Sequence, residues 1–309
     1  MNKLYVVAGP TASGKTAVAI ELAKKVNGEV VSADSMQIYK HMDIGTAKPT
    51  EEEMKGIPHH LINVALPSEP FSVAEYTQLT TAAIKDIQSR NCVPILAGGT
   101  GFYINAVIYG TQFTESEKGQ HEKDNQLRNI YMKLAAEKGT DFLYEKLQAI
   151  DPESAKSIHP NNIKRVARAL SFCESTGSLF SAYNAGQKAN SAKYDVCFNV
   201  LTMPREVLYS RINARVIAMW QAGLPEEVSR LLSLGYHPSF TAMQGIGYKE
   251  TVPFVKGCQT KEDTISQIQQ ATRNYAKRQE TWFRHQAKNV RLVNAYDTDP
   301  KQIAAEILM

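Results

Sequence analysis

Near its start the chain reads Gly9-Pro10-Thr11-Ala12-Ser13-Gly14-Lys15-Thr16, a full match to G-x-x-x-x-G-K-[ST]. The glycines let backbone N–H groups close around phosphate oxygens, and the helix that begins near Lys15 points its positive end at them. Lys15 adds a point charge, and the Thr16 hydroxyl suits Mg2+. Two chemistries use such a cradle. A kinase holds ATP there and passes on the terminal phosphoryl. Another transferase holds a diphosphate and discards it. The loop says phosphate without saying which.

Further groups stand where they could join that loop. Asp34 follows the apolar run "GEVVSA" and reads as a metal ligand, a helix cap or a general base. Asp43 sits in the turn-rich "MDIGTAKP", where punctuation of a loop is the plain reading. Thr100, in "GGTGFY", is either an N-cap or a hydroxyl placed in the ligand crevice. Arg211 and Arg215 are four residues apart on one helix face. That pair is a solvated surface or a clamp on phosphate oxygens, which guanidinium forks bind bidentately. No N-K-x-D for guanine is present. The strand "VPILAGGTG" ends in glycines and threonine, where P-loop NTPases place a metal-binding Asp.

These groups need a scaffold. "KLYVVA", "GEVVSAD", "VPILAG" and "YDVCFNVLTMP" read as strands, with "HHLINV" as a short one. Helical spacing runs from Thr16 to Val26, through "SVAEYTQLTTAAIKDIQSRN" with Ser72 as N-cap, and through "FYINAVIYG". Strands alternating with helices predict an α/β fold: a P-loop NTPase-like parallel sheet with helices on both faces. From Gln112 to about Ala192 the chain turns polar and helical, without a convincing strand. The expectation is a catalytic core from residues 1–112 and 193–309, interrupted by an all-helical insertion domain over 113–192. Long helices follow the last strand, ending in "EDTISQIQQATRNYAKRQETWFRHQAK". There Arg273, Lys277, Arg284 and Lys288 fall close to one stripe, with Tyr275, Trp282 and Phe283 between them. Such a stripe fits a phosphate backbone.

The chain has 309 residues, 43% of them hydrophobic and 21% charged, enough for about two soluble globular domains. A net charge of +4 permits an anionic partner without requiring one. The four cysteines lie far apart with no C-x-x-C pair. That excludes zinc-ribbon spacing and points to a reducing, cytoplasmic setting. No stretch reaches the roughly 18 apolar residues of a membrane span.

Taken together, the motifs resemble the bacterial isopentenyl-tRNA transferase (IPP transferase) family. The likeness runs nearly end to end through "GPTASGKT", "SADSMQIYKHMDIGTAKP", "GGTGFYI", "HPNNIKRVARAL", "RINARVIAM", "GIGYKE" and "TRNYAKRQETWFR". It implies transfer of the dimethylallyl group from dimethylallyl diphosphate to N6 of the adenosine at tRNA position 37, beside the anticodon. The loop Gly9, Pro10, Thr11, Ala12, Ser13, Gly14, Lys15 and Thr16, with Arg215, would then hold the diphosphate, and Mg2+ would sit at Thr16. Asp34 would take the N6 proton, and Thr100 would support the reacting centre. The tRNA anticodon stem-loop would be met by Asp34, Ser35, Met36, Gln37 and Thr100. Further tRNA contacts would come from Arg128, from Lys164, Arg165, Val166, Ala167 and Arg168, and from Gln244, Gly245, Ile246, Gly247, Tyr248 and Lys249. The expected partners are tRNA and the prenyl diphosphate, with no membrane, acting on a monomer. The alternatives are a small-molecule kinase using ATP and a non-catalytic RNA-binding P-loop protein. Two departures stand out: Asn162 occupies the place of the family's usual Asp in "HPND", and the C-terminal zinc finger of some eukaryotic members is missing.

Overall fold

The computed structural model describes residues 3–110, 117–188 and 191–309. They form two compact units: Met1–Ile108 with Ala192–Met309, and Tyr109–Ser191.

In the first unit β1 (Lys3–Ala8) runs into the phosphate loop and α1 (Lys15–Val26). Asn27 ends α1 in the left-handed region (φ 50°), its N–H on the Ala23 carbonyl. Then come β2 (Gly28–Ser32), the short α2 (Glu51–Met54), β3 (His59–His60) and α3 (Val73–Ser89). Ser72 caps α3 as its sequence predicts, in a reciprocal capping box with Glu75. β4 (Val93–Gly98) and α4 (Gly101–Ile108) complete the first half.

The second unit is helical: α5 (Glu117–Lys138), α6 (Thr140–Ile150), α7 (Pro152–Ser157), α8 (Ile163–Thr176) and α9 (Phe180–Lys188). No strand occurs among its described residues. Tyr131, Leu143, Leu147, Val166 and Leu170 make its core. Asp151, fully buried, accepts from Ser154 N and Oγ and from Ser181 N, tying α7 to the start of α9. Asn162 does the work of the absent Asp, its side chain capping α8 at Arg165 N. Gln112 and its neighbours through 116 lie outside the described residues.

The chain re-enters the first unit through β5 (Asp195–Thr202), then α10 (Arg205–Gln221), α11 (Leu224–Ser233), α12 (Tyr248–Val255) and α13 (Lys261–Gln286). β6 (Val290–Asn294) and α14 (Pro300–Ile307) follow, and the sequence reading saw neither. Every strand pair is parallel, in the order β3-β2-β4-β1-β5-β6. The sheet is therefore of the P-loop type, with helices on both faces. Tyr5, Val7, Val30, Ile95 and Leu201 meet α1 and α14 on one face. Leu4, Val6, Val31 and Leu96, alternating with them, are fully buried on the other. Each such side chain contributes roughly 1.5–3 kcal/mol by leaving water, so the register that positions the loops is firmly held. Among the described residues no helix is long and apolar enough to cross a membrane.

Candidate active site

Register decides which loops meet. Ala8 at the end of β1 lies opposite Gly98 of β4, so the phosphate loop and the Gly99–Thr100 turn leave the sheet side by side. The segment after β2 joins them: Ala33 N–H donates to Ala97 O (2.7 Å) and Thr100 N–H to Ala33 O (3.0 Å). Gly98 is required there, because a Cβ would lie 2.1 Å from Ala33 O. Asp34 is thereby set next to Thr100, two residues past the strand that was expected to end on it.

The phosphate loop has the conformation its glycines permit, with φ 150° at Gly9 and 86° at Gly14. Lys15 Nζ donates to Pro10 O at 2.6 Å. Burial first, and then the Arg215 charge, push its pKa down to about 8 against the opposing attraction of Asp34. Arg215 Nη1 donates to Thr11 Oγ1 (3.2 Å), and burial lowers its pKa too, against Asp34 and Glu53. Ser13 Oγ is buried with no hydrogen-bond partner among the described residues. Two desolvated cations at one glycine loop suit a cradle for an oxyanion.

A cavity of about 870 Å³ opens over this loop. Lys15, Thr16, Asp34, Arg211 and Arg215 are among its charged and hydroxyl groups, with Asp43, Lys48, Glu53 and Lys55 also on its lining. Ile20, Ile44, Ala218, Met219 and Ala222 supply an apolar wall. Asp34 Oδ1 accepts Met36 N–H (2.9 Å), a local turn in which Oδ2 takes no part. Thr100 is not a side-chain cap of α4. Its Oγ1 accepts Ser35 N–H (3.1 Å) and so holds the Asp34 loop. No group of three His, Cys, Asp or Glu among the described residues could hold a metal. A hard cation here would take Thr16 and ligand oxygens, the mode Mg2+ prefers.

Two residues that sequence reasoning did not assign to the site come from α13. Gln279, 6% exposed, accepts Thr11 N–H at Oε1 (2.9 Å) and donates from Nε2 to Gly99 O (2.9 Å). It locks the phosphate loop to the β4 turn. Tyr275, one turn earlier, lines the cavity near Thr100; burial first, then Asp34, raises its pKa to about 12. The expected basic stripe is correspondingly altered. Tyr275, Ala276, Gln279 and Phe283 face inward, Lys277, Arg278 and Arg284 outward, and Trp282 packs on Gly101. Arg273 is spent on Asn213 Oδ1 and Gln270 Oε1, and Lys288 lies past the helix end.

The candidate RNA-facing residues divide by burial. In the first unit Ser35, Met36 and Gln37 flank Asp34. Gly245 packs on Met36, where a Cβ would lie 2.3 Å from Cε, and Ile246 and Gly247 continue that loop. Gln244 and Lys249 are exposed. Tyr248, read as part of a flexed loop, instead opens α12 and is fully buried, its hydroxyl donating to Glu227 Oε1 (2.7 Å). Its side chain is unavailable to RNA in this structure. In the second unit Lys164 and Arg165 are exposed, whereas Val166 and Ala167 are core. Arg128 and Arg168 converge on the buried Asp124, the former at 2.8 Å.

Residues 37–286 match the family described as IPP transferase. The chain belongs to the IPP transferase family. A relative from Alkaliphilus oremlandii, a tRNA dimethylallyltransferase, is 47% identical over 308 residues, all of this chain and 96% of its own. The crystal structure of a tRNA delta(2)-isopentenylpyrophosphate transferase from Staphylococcus epidermidis is 42% identical, with a TM-score of 0.72 over 100% of this chain and 98% of that one. A eukaryotic dimethylallyltransferase acting on tRNA superposes with a TM-score of 0.81 at 31% identity, over 98% of this chain and 78% of that one.

Proposed function

We propose that this IPP transferase moves the dimethylallyl group of dimethylallyl diphosphate to N6 of the adenosine at tRNA position 37. The observation that carries the reading is one cavity lined both by Lys15, Thr16 and Arg215 and by Asp34 and Tyr275. The first set suits a leaving diphosphate, and Asp34 suits a departing proton. The exocyclic nitrogen forms a bond to C1 of the donor as the C1–O bond breaks, and its electrons go to the diphosphate. Lys15, Arg215 and the loop N–H groups neutralise that developing charge. Asp34 accepts the proton lost from N6, and Thr100, through Ser35 N–H, keeps the aspartate loop in place. Mg2+ at Thr16 would supply further charge neutralisation on the diphosphate. An adenine stacked in an anticodon loop must leave its stack to reach Asp34.

The RNA grip falls to Gln244, Lys249, Lys164 and Arg165, whose side chains are exposed, and to the helical unit between residues 113 and 192 as a whole. Every proposed chemical group comes from one chain, in keeping with a monomer, and four unpaired cysteines suit the cytoplasm. β4 ends at Gly98 and runs on into Gly99 and Thr100 with no carboxylate, so nothing there favours ATP as the bound phosphate. The test incubates the protein with unmodified tRNA, Mg2+ and labelled dimethylallyl diphosphate, without nucleotide. Label is expected in the tRNA at that adenosine; tRNA left unlabelled refutes the proposal.

A further inference from the structure

One part of the cavity lining, residues 43–48, is a length of chain with no helix or strand. Residues 43–48 carry Ile44 into the apolar end of the cavity, where Met219 and Ala222 also face. Irregular backbone at a cavity edge needs external fixing, because its N–H groups have no ladder to enter.

Glu227, on α11 and 6% exposed, supplies that fixing. Its Oε2 accepts the N–H groups of Asp43 and Ile44, both at 2.9 Å. Its Oε1 accepts Gly45 N–H (3.1 Å) and the Tyr248 hydroxyl (2.7 Å). Three successive backbone donors thus close on one carboxylate, an anion nest filled from within the protein. Gly45 belongs to the same assembly: a Cβ there would lie 2.5 Å from the Tyr248 ring. From the other side Gln37 Nε2 reaches Thr46 O and Ala47 O at 3.4 and 3.3 Å, weaker contacts than those of Glu227.

We propose that Glu227 is a positioning residue for the prenyl donor: by gathering the N–H groups of Asp43, Ile44 and Gly45, it holds Ile44 where the donor's hydrocarbon tail packs. This rests on the reading of the cavity as a prenyl diphosphate site. Glu227 touches no substrate. It acts chiefly through the loop, with three bonds to residues 43–45 against one to Tyr248, so its loss falls more on donor binding than on the Gln244–Lys249 segment. An amide in its place is wrong in kind, because its NH2 group would face backbone donors on one side.

The test compares Glu227→Gln with the parent by steady-state transfer and by hydrogen exchange at the amides of residues 43–45. The variant is expected to raise the KM for dimethylallyl diphosphate roughly tenfold, to leave the KM for tRNA within about twofold, and to speed exchange at those amides. An unchanged donor KM, an equal rise in both KM values, or unaltered exchange overturns the proposal. Should Glu227→Gln fail to fold, Glu227→Asp, which keeps the charge but draws the carboxylate back from the three loop N–H groups by one methylene, is read by the same measurements and the same criteria. A parent protein that transfers nothing refutes the proposed function instead. In that case exchange, which needs no turnover, still decides whether Glu227 holds the loop.

Discussion

Raising the pH should weaken donor binding through Lys15 before any other group in the cradle responds. Its ammonium is buried against Pro10 O and near Arg215, and its pKa falls to about 8. A diphosphate binds the protonated form. Its own oxygens are fully ionised above about pH 7, since the second ionisation of a phosphate ester falls near 6. With a pKa of about 8, the protonated fraction falls from about 0.9 at pH 7 to about 0.5 at pH 8 and about 0.1 at pH 9. A bound trianion raises the lysine pKa well above that range. The apparent Kd for dimethylallyl diphosphate should therefore rise about tenfold from pH 7 to pH 9, with most of the change above pH 8. The direction follows from linkage: at high pH the free protein must take up a proton to bind, and at pH 7 it does not. Titration calorimetry in two buffers of different ionisation enthalpy reads both quantities. Proton uptake should approach about one per site at pH 9 and nearly vanish at pH 7. A Kd that stays flat across this range, with no uptake at pH 9, refutes the argument that Lys15 is held near neutrality before substrate arrives.

Asp34→Asn should keep the donor KM while lowering kcat by about 10²–10⁴, the usual worth of a positioned base; parent-like turnover would reduce Asp34 to its hydrogen bond with Met36 N–H. Lys15→Met should abolish diphosphate binding and yet raise the melting temperature of the ligand-free protein at pH 7, because folding confines a charge that water would solvate better; a lower melting temperature contradicts the burial argument. Gln279→Ala orphans Thr11 N–H and Gly99 O, and should cost about 1–3 kcal/mol in urea unfolding, with donor affinity falling alongside; a loss of donor affinity at unchanged stability would count against it.

Local chemistry is what the sequence determined. The phosphate loop is legible because a short run of residues carries both the glycine conformations and the cation. The apolar strands and the Ser72 cap are legible for the same reason: their signals lie within a few residues of the structure they specify. The alternation of strand and helix then implies a parallel sheet. Residues brought in from far along the chain were not legible. Gln279 stands 268 positions from Thr11, and Glu227 stands 184 from Asp43. Neither lies in a local pattern that announces its partner. "MQGIGYKE" has the composition of a turn, yet Tyr248 starts a helix, because burial against Gly45 and a bond to Glu227 outweigh local preference. The short β6, broken by Arg291 and directly behind a long polar helix, carried no alternation long enough to be seen, and it exists because β5 offers an edge to pair. Which strand ends stand side by side, and hence that Asp34, Gly99 and the phosphate loop share one cavity, was decided by sheet register. Register is set by the packing of both faces at once, which no single stretch of residues encodes.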